Sequence, residues 1–231
     1  MTGKRVIFFG LFLCLATSLL ARKQALDSIP DAGPQWIVPA GVLAAGILGN
    51  EQLFKRNLHA ALPKTDTRLD DYFQFVPIGQ LYLAEAVGLQ GNRTVWSATK
   101  NLFLAEMFTG LAVYGLKWSL NVERPNGERW AWPSGHTAQG FVGATALHCH
   151  YRKTHPWLAR SGFLFAATTG ALRVTNDVHW VPDVLAGAGI ALLITRLVYY
   201  WNPLEDWHPF SGVRVSRLRV DPTGGAIVLN F

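Results

Sequence analysis

Cysteine is scarce in this chain, and so is charge. Two cysteines, Cys14 and Cys149, occur among 231 residues. Cys14 sits in an apolar N-terminal run, so a disulfide joining the two is not expected, and no Cys/His spacing matches a zinc site. His148 and His150, one residue apart, point in different directions on a helix, which removes them as a ligand pair. Asp, Glu, Lys and Arg together supply 16% of the residues, and acidic residues nowhere cluster as paired magnesium requires. There is no G-x-x-x-x-G-K-[ST] loop, no internal repeat and no low-complexity tract. Nor is there a run of basic residues interleaved with aromatics, so nucleic acid is not an expected partner.

What remains is an apolar, basic chain. Half of the residues are hydrophobic, the formal net charge is +6, mean hydropathy is +0.17 and the pI is about 9.5. The length suits one domain with its own core. The charge suits an anionic partner: a headgroup surface or a phosphate ester. Nine tryptophans fit a water–lipid boundary, where an amphipathic ring is at home, and fit a core equally.

Lys4 and Arg5 precede an apolar run over residues 6–20, with small residues at 16–18. Residues 1–21 therefore read as a signal peptide or an N-terminal anchor. A Pro- and Gly-rich linker at 28–35, a short apolar helix at 36–49 and a solvated helix and loop at 51–71 make up an N-terminal segment, 22–71. Helical runs then follow at 72–89, 97–118, 137–151, 157–173 and 183–201, within a core of 72–202. Small residues recur in them (Gly140, Gly143, Ala144; Ala166, Gly170; Ala186, Gly187, Gly189) and allow close helix approach. Glu85, Asn101, Glu106 and Gln139 argue against every helix facing lipid. Period-two alternation at 213–220, a turn at 221–225 and an apolar end predict a β-hairpin within 203–231. The expected fold is an all-α bundle of about six helices, membrane-associated, with that small hairpin.

Three polar islands interrupt the apolar runs. The first holds Lys117 and Arg124-Pro125, the second Pro133-Ser134-Gly135-His136, the third Arg173, His179 and Asp183. Singly, such groups are costly beside apolar helices; gathered on one anion they satisfy each other. Lys117, Arg124 and Arg173 would grip phosphate oxygens, the arginines with paired planar donors. Ser134 adds a hydroxyl, and Gly135 lets a backbone N–H at a helix start come close. His179, oriented by Asp183 four residues on, would attack phosphorus. His136 would protonate the leaving oxygen and then activate water. Each island alone is weak evidence; three in this order at the edges of apolar runs are specific.

These islands resemble the three signatures of the type 2 phosphatidic acid phosphatase superfamily, K-x6-R-P, P-S-G-H and S-R-x5-H-x3-D. Leu172 stands where the third signature has Ser. The resemblance covers about residues 70–201 and implies a helical bundle, a phosphohistidine intermediate and no metal or other cofactor. Asp70-Asp71-Tyr72 and the context of Arg124 are similar to envelope-associated members, lipid A phosphatases among them. The expected substrates are lipid phosphates or diphosphates: lipid A phosphate, phosphatidic acid, phosphatidylglycerophosphate or undecaprenyl diphosphate. The expected location is the inner membrane with the site facing the periplasm. A retained anchor, with the 36–49 helix not crossing, puts the islands outside and Arg152 and Lys153 inside. A soluble acid phosphatase, a vanadate-dependent haloperoxidase and a non-catalytic lipid-binding protein are the alternatives.

Overall fold

The computed structural model describes residues 36–204 and 207. Eight helices follow one another there, and there is no strand among the described residues. They are α1 Ile37–Leu48, α2 Gln52–Ala60, α3 Leu69–Phe73, α4 Val76–Ala86, α5 Val95–Leu120, α6 Gly135–Tyr151, α7 Pro156–Thr175 and α8 Val181–Trp201. The expected all-α bundle is present, with eight helices rather than about six. The run at 72–89 is not one helix: it breaks at Gln74 and Phe75, and Pro77 in the first turn of α4 starts a new one, having no N–H to continue the old. The stretch read as solvated holds α2, whose Lys55 and His59 are buried. The signal or anchor at 1–21, the linker at 28–35 and the C-terminal hairpin lie outside the described residues.

α6 is the hub of the bundle. It packs on α7 and α8 and, less extensively, on α5 and α4. Val142, Ala144, Ala146, Leu147 and Tyr151 on it are fully buried. Small residues set how close the helices come. A Cβ on Gly140 would lie 3.2 Å from Ala166 Cα, and one on Gly46 2.3 Å from the Ala186 nitrogen. α6 with α7, and α1 with α8, therefore meet backbone to backbone.

The polar residues within the apolar helices turn inward. Asn101 Nδ2 donates to Asn202 Oδ1 at 2.8 Å, Glu85 pairs with His150 at 2.5 Å, and Gln139 Nε2 donates to Glu106 Oε1 at 2.6 Å. His148 instead packs on Phe163, so His148 and His150 do go separate ways. Facing outward on α5 is an apolar row, Phe103, Met107, Leu111, Tyr114 and Trp118, all exposed and spaced three or four residues apart on one helix face. Among the described residues α8 is long and apolar enough to cross a membrane. α1 and α2, bent by 99°, pass the same test only as a pair.

Candidate active site

Each island sits where a helix ends or begins. Lys117 occupies the last turn of α5, which Asn121 closes in the left-handed region at φ 46°. The chain then doubles back: Arg124 N–H donates to Glu128 O at 2.8 Å and Ala131 N–H to Val122 O at 2.8 Å. Gly127, at φ 84°, makes the turn. This loop lays the Trp130 carbonyl on Lys117, whose Nζ donates to it at 2.6 Å. Arg124 Nη1 donates to Glu128 Oε2 at 2.7 Å, and its Nε is buried without a partner. A buried guanidinium N–H left open in this way is ready for an acceptor that is not part of the chain.

The second and third islands are stitched together by backbone. Ser134 caps α6, and its N–H donates to Asp183 O at 2.9 Å. Its side chain is fully buried, with Oγ accepting from Thr137 Oγ1 at 3.0 Å. Ser134 therefore lies behind the wall of the cleft, whereas Gly135 lines it. In the third island His179 N–H donates to Arg173 O at 3.1 Å, so the loop after α7 folds back on the helix end that carries Arg173. Trp180 caps α8, Pro182 sits in its first turn, and Asp183 is its third residue. Asp183 Oδ2 accepts both Trp180 N–H at 2.8 Å and His179 Nδ1 at 3.3 Å. A carboxylate accepts, so the proton belongs on Nδ1, and Nε2 is left with its lone pair.

These elements enclose a cleft of about 670 Å³, lined by Lys117, Arg124, Gly135, His136, Arg173 and His179. Seven of the eight residues singled out in the sequence thus lie on the cleft or, for Asp183, directly behind a group that does. Burial holds the His179 ring well below the usual histidine range, and the cations Lys117, Arg173 and Arg124 push it the same way. It is therefore neutral near pH 7. His136 is also lowered, first by burial and then by Arg173, against the opposing pull of Asp71.

Asp70 and Asp71, on α3, are the site residues to which sequence reasoning gave no role. Asp70 is buried and accepts from Arg173 Nη1 at 2.6 Å and from Asn176 Nδ2 at 3.1 Å. Asp71 Oδ1 lies 3.1 Å from His136 Nε2 and 4.0 Å from Arg173 Nη1. A signal was there: three cations and two imidazoles with only one carboxylate leave an unbalanced charge, and these adjacent acids open a helix. Lys55 and His59 escaped notice too. Both pack on the Trp180 ring, at 5.2 Å and 5.0 Å, and support the third island from beneath. Among the described residues no three His, Cys, Asp or Glu side chains converge as a metal site requires.

The arrangement offers a tetrahedral oxyanion several fixed cationic donors, a neutral imidazole nitrogen and a second imidazole. Comparison with known proteins gives this a context. The model of the PAP2 superfamily matches residues 98–207, the stretch that carries all three islands. α3, with its two aspartates, lies ahead of the matched segment. A lipid A 1-phosphatase of Porphyromonas gingivalis is 33% identical over 144 residues, covering 60% of this chain and 32% of that protein. The chain thus spans about a third of the length of this curated relative. Among solved structures, Aquifex aeolicus LpxE is 24% identical with a TM-score of 0.48, covering 67% of this chain and 99% of that one. A transmembrane PAP2-type phosphatidylglycerolphosphate phosphatase from Bacillus subtilis is 21% identical with a TM-score of 0.42, covering 89% and 98%.

Proposed function

We propose, from the match of the PAP2 superfamily model to residues 98–207, that the chain is a phosphatase of that kind, hydrolysing the phosphate ester of a membrane lipid through a phosphohistidine. The observation that carries the proposal is the pairing of a neutral, Asp183-bound His179 with His136 across a cleft walled by Lys117, Arg124 and Arg173. His179 Nε2 attacks phosphorus with its lone pair. The bond from phosphorus to the lipid oxygen breaks, and that oxygen takes a proton from His136. His136, now neutral, removes a proton from water. The resulting hydroxide attacks phosphorus, the P–N bond breaks and its electrons return to His179. Inorganic phosphate leaves. Charge on the transferring group spreads over its outer oxygens, where the two guanidinium groups and the lysine stabilise it.

Asp70 and Asp71 are positioning residues in this scheme. Asp70 fixes the Arg173 fork from behind. Asp71 draws a proton onto the ring of His136 before the leaving oxygen arrives. Ser134 serves through its backbone, which links the second island to Asp183.

A lipid substrate is supported by three features. The outward row of apolar residues on α5 ends at Trp118, which also lines the cleft, so a substrate passing from lipid to site crosses no polar barrier there. α8, with 21 residues, has a rise of roughly 31 Å, the thickness of a bilayer's hydrocarbon core. The relative from P. gingivalis is named for a lipid phosphate. We place the protein in the inner membrane with the cleft toward the periplasm. Arg152 and Lys153 follow the end of α6 opposite His136, and basic residues favour the cytoplasmic side. Lipid A phosphate is the favoured substrate, with phosphatidic acid, phosphatidylglycerophosphate and undecaprenyl diphosphate as the others to be screened. Purified protein in detergent with a chelator present should release phosphate from at least one of them. Activity confined to soluble esters would overturn the lipid assignment, and inertness towards all would overturn the phosphatase.

A further inference from the structure

The phosphate clamp is not the whole of the charge around the third island. α2 carries Lys55, which is 3% exposed and does not line the cleft. The corner between α1 and α2 rests on the start of α8, where a Cβ on Gly49 would lie 3.4 Å from Pro182 Cγ. From there the Lys55 ammonium reaches to 5.2 Å from the centre of the Trp180 ring and donates to Asn50 Oδ1 at 3.2 Å. Trp180 in turn holds Asp183, giving its backbone N–H to Oδ2. Asp183 is fully buried, and its Oδ1 has no hydrogen-bond partner. Burial lowers the pKa of Lys55, and the strongest influence against that is the Asp183 carboxylate; Glu123 acts in the same sense and Arg56 in the opposite one.

A carboxylate at this depth is costly without a counter-charge. Before substrate binds, Lys117, Arg124 and Arg173 on the cleft wall supply part of one. A bound phosphate then draws on those same three cations, whereas Lys55, outside the cleft, keeps its charge unshared. The need is greatest at that moment, because His179 gains positive charge as it attacks and Asp183 must be an anion to stabilise it. We infer that Lys55 is a positioning residue for turnover, keeping Asp183 charged behind His179 while phosphate occupies the clamp. This rests on the phosphatase reading above and adds to it a group on a helix that precedes the matched segment. Lys55 lines no part of the cleft and acts through Asp183.

The test is a double-mutant cycle on the full chain: Lys55→Met, Asp183→Asn and both together, with kcat and KM for a lipid phosphate and a melting curve for each. Lys55→Met keeps an apolar stem against Trp180 and removes the charge. It should lower kcat by about fivefold or more while KM stays within about twofold, the pattern of an interaction made in the transition state. In the Asp183→Asn background no carboxylate is left to hold, and the same substitution should change kcat by less than about twofold. A further fall in kcat there would show a packing role and overturn the inference, as would wild-type kcat in Lys55→Met. Melting reads the same pair without turnover. Each single substitution leaves one buried charge without its partner, so the double variant should melt above both singles. A double variant that melts no higher than the more stable single overturns the pair, even if Lys55→Met alone does not fold. Inertness of the wild-type protein towards every lipid phosphate overturns the phosphatase and leaves the melting curves to decide the pair.

Discussion

Asp183 offers a quantitative test, because its two hydrogen bonds end on a single oxygen. Oδ2 accepts Trp180 N–H at 2.8 Å and His179 Nδ1 at 3.3 Å. In Asp183→Asn one amide oxygen can still accept both, so the orientation and tautomer of His179 survive and only the negative charge is lost. A full cation on His179 at that separation interacts with the carboxylate by about 5 kcal/mol at an effective dielectric of 20. With about half of the charge developed in the transition state, the loss is about 2.5 kcal/mol, or roughly 70-fold in rate. Asp183→Ala loses the orientation as well, and its rate should fall about 10³- to 10⁴-fold. The assay is initial phosphate release at saturating lipid, with folding of each variant checked by its melting curve. If the Asn variant were as damaged as the Ala variant, or either kept the wild-type rate, the argument from the shared oxygen would be refuted.

Four further outcomes follow from the same geometry. Asp70→Asn removes the charge behind Arg173 at a site 1% exposed; breaking so buried a pair should cost about 3 kcal/mol of stability, read as a lower melting temperature, with a parallel fall in kcat/KM. Arg173→Lys should lower kcat/KM by about tenfold or more, because a point charge cannot replace a paired fork. The proposed scheme needs His179 neutral and His136 protonated, and His136 lies below its ordinary value of 6.5, so kcat/KM should fall as pH rises through that lowered value. Asp71→Asn removes an influence that raises it, and the alkaline limb should move further to acid in a profile taken between about pH 4 and 9. Gly187→Ala would put a Cβ 2.4 Å from Ser134 O; overpacking there should cost about 1–3 kcal/mol and lower activity through the turn that holds His136, measured by thermal unfolding alongside rate.

The side chains proposed to react are legible because chemistry restricts their types. Two imidazoles, a carboxylate and three cations at the edges of apolar runs suit an anion and its cleavage and little else, and seven of the eight residues named converge on the cleft or directly behind it. Ser134 is the exception. Its hydroxyl satisfies Thr137 inside the bundle, a preference that a four-residue motif cannot express. The helices of the core are legible from hydrophobic runs; the break before Pro77 is not, because the apolar run continues across it and a proline in a first turn starts a helix as readily as it ends one. α2 reads as solvated because it carries Lys55 and His59; the Trp180 ring against both, and Asp177 at 2.5 Å from His59 Nε2, are supplied from more than a hundred residues away and explain why they are buried. Asp70 and Asp71 were opaque for a related reason. Their partners, Arg173 and His136, are distant in sequence, and an acidic pair opening a helix is by itself only favourable to the helix dipole.

If nucleophile and acid are two different rings, the phosphoryl group must rest on one of them alone. Brief incubation with ³²P-labelled lipid phosphate, quenched in alkali to preserve phosphohistidine, addresses it directly. Label should be trapped on His179 in the His136→Ala variant, which has lost the base for the second step, and should be absent from His179→Ala. Label retained in His179→Ala, or found on any other residue of the wild-type protein, would contradict it.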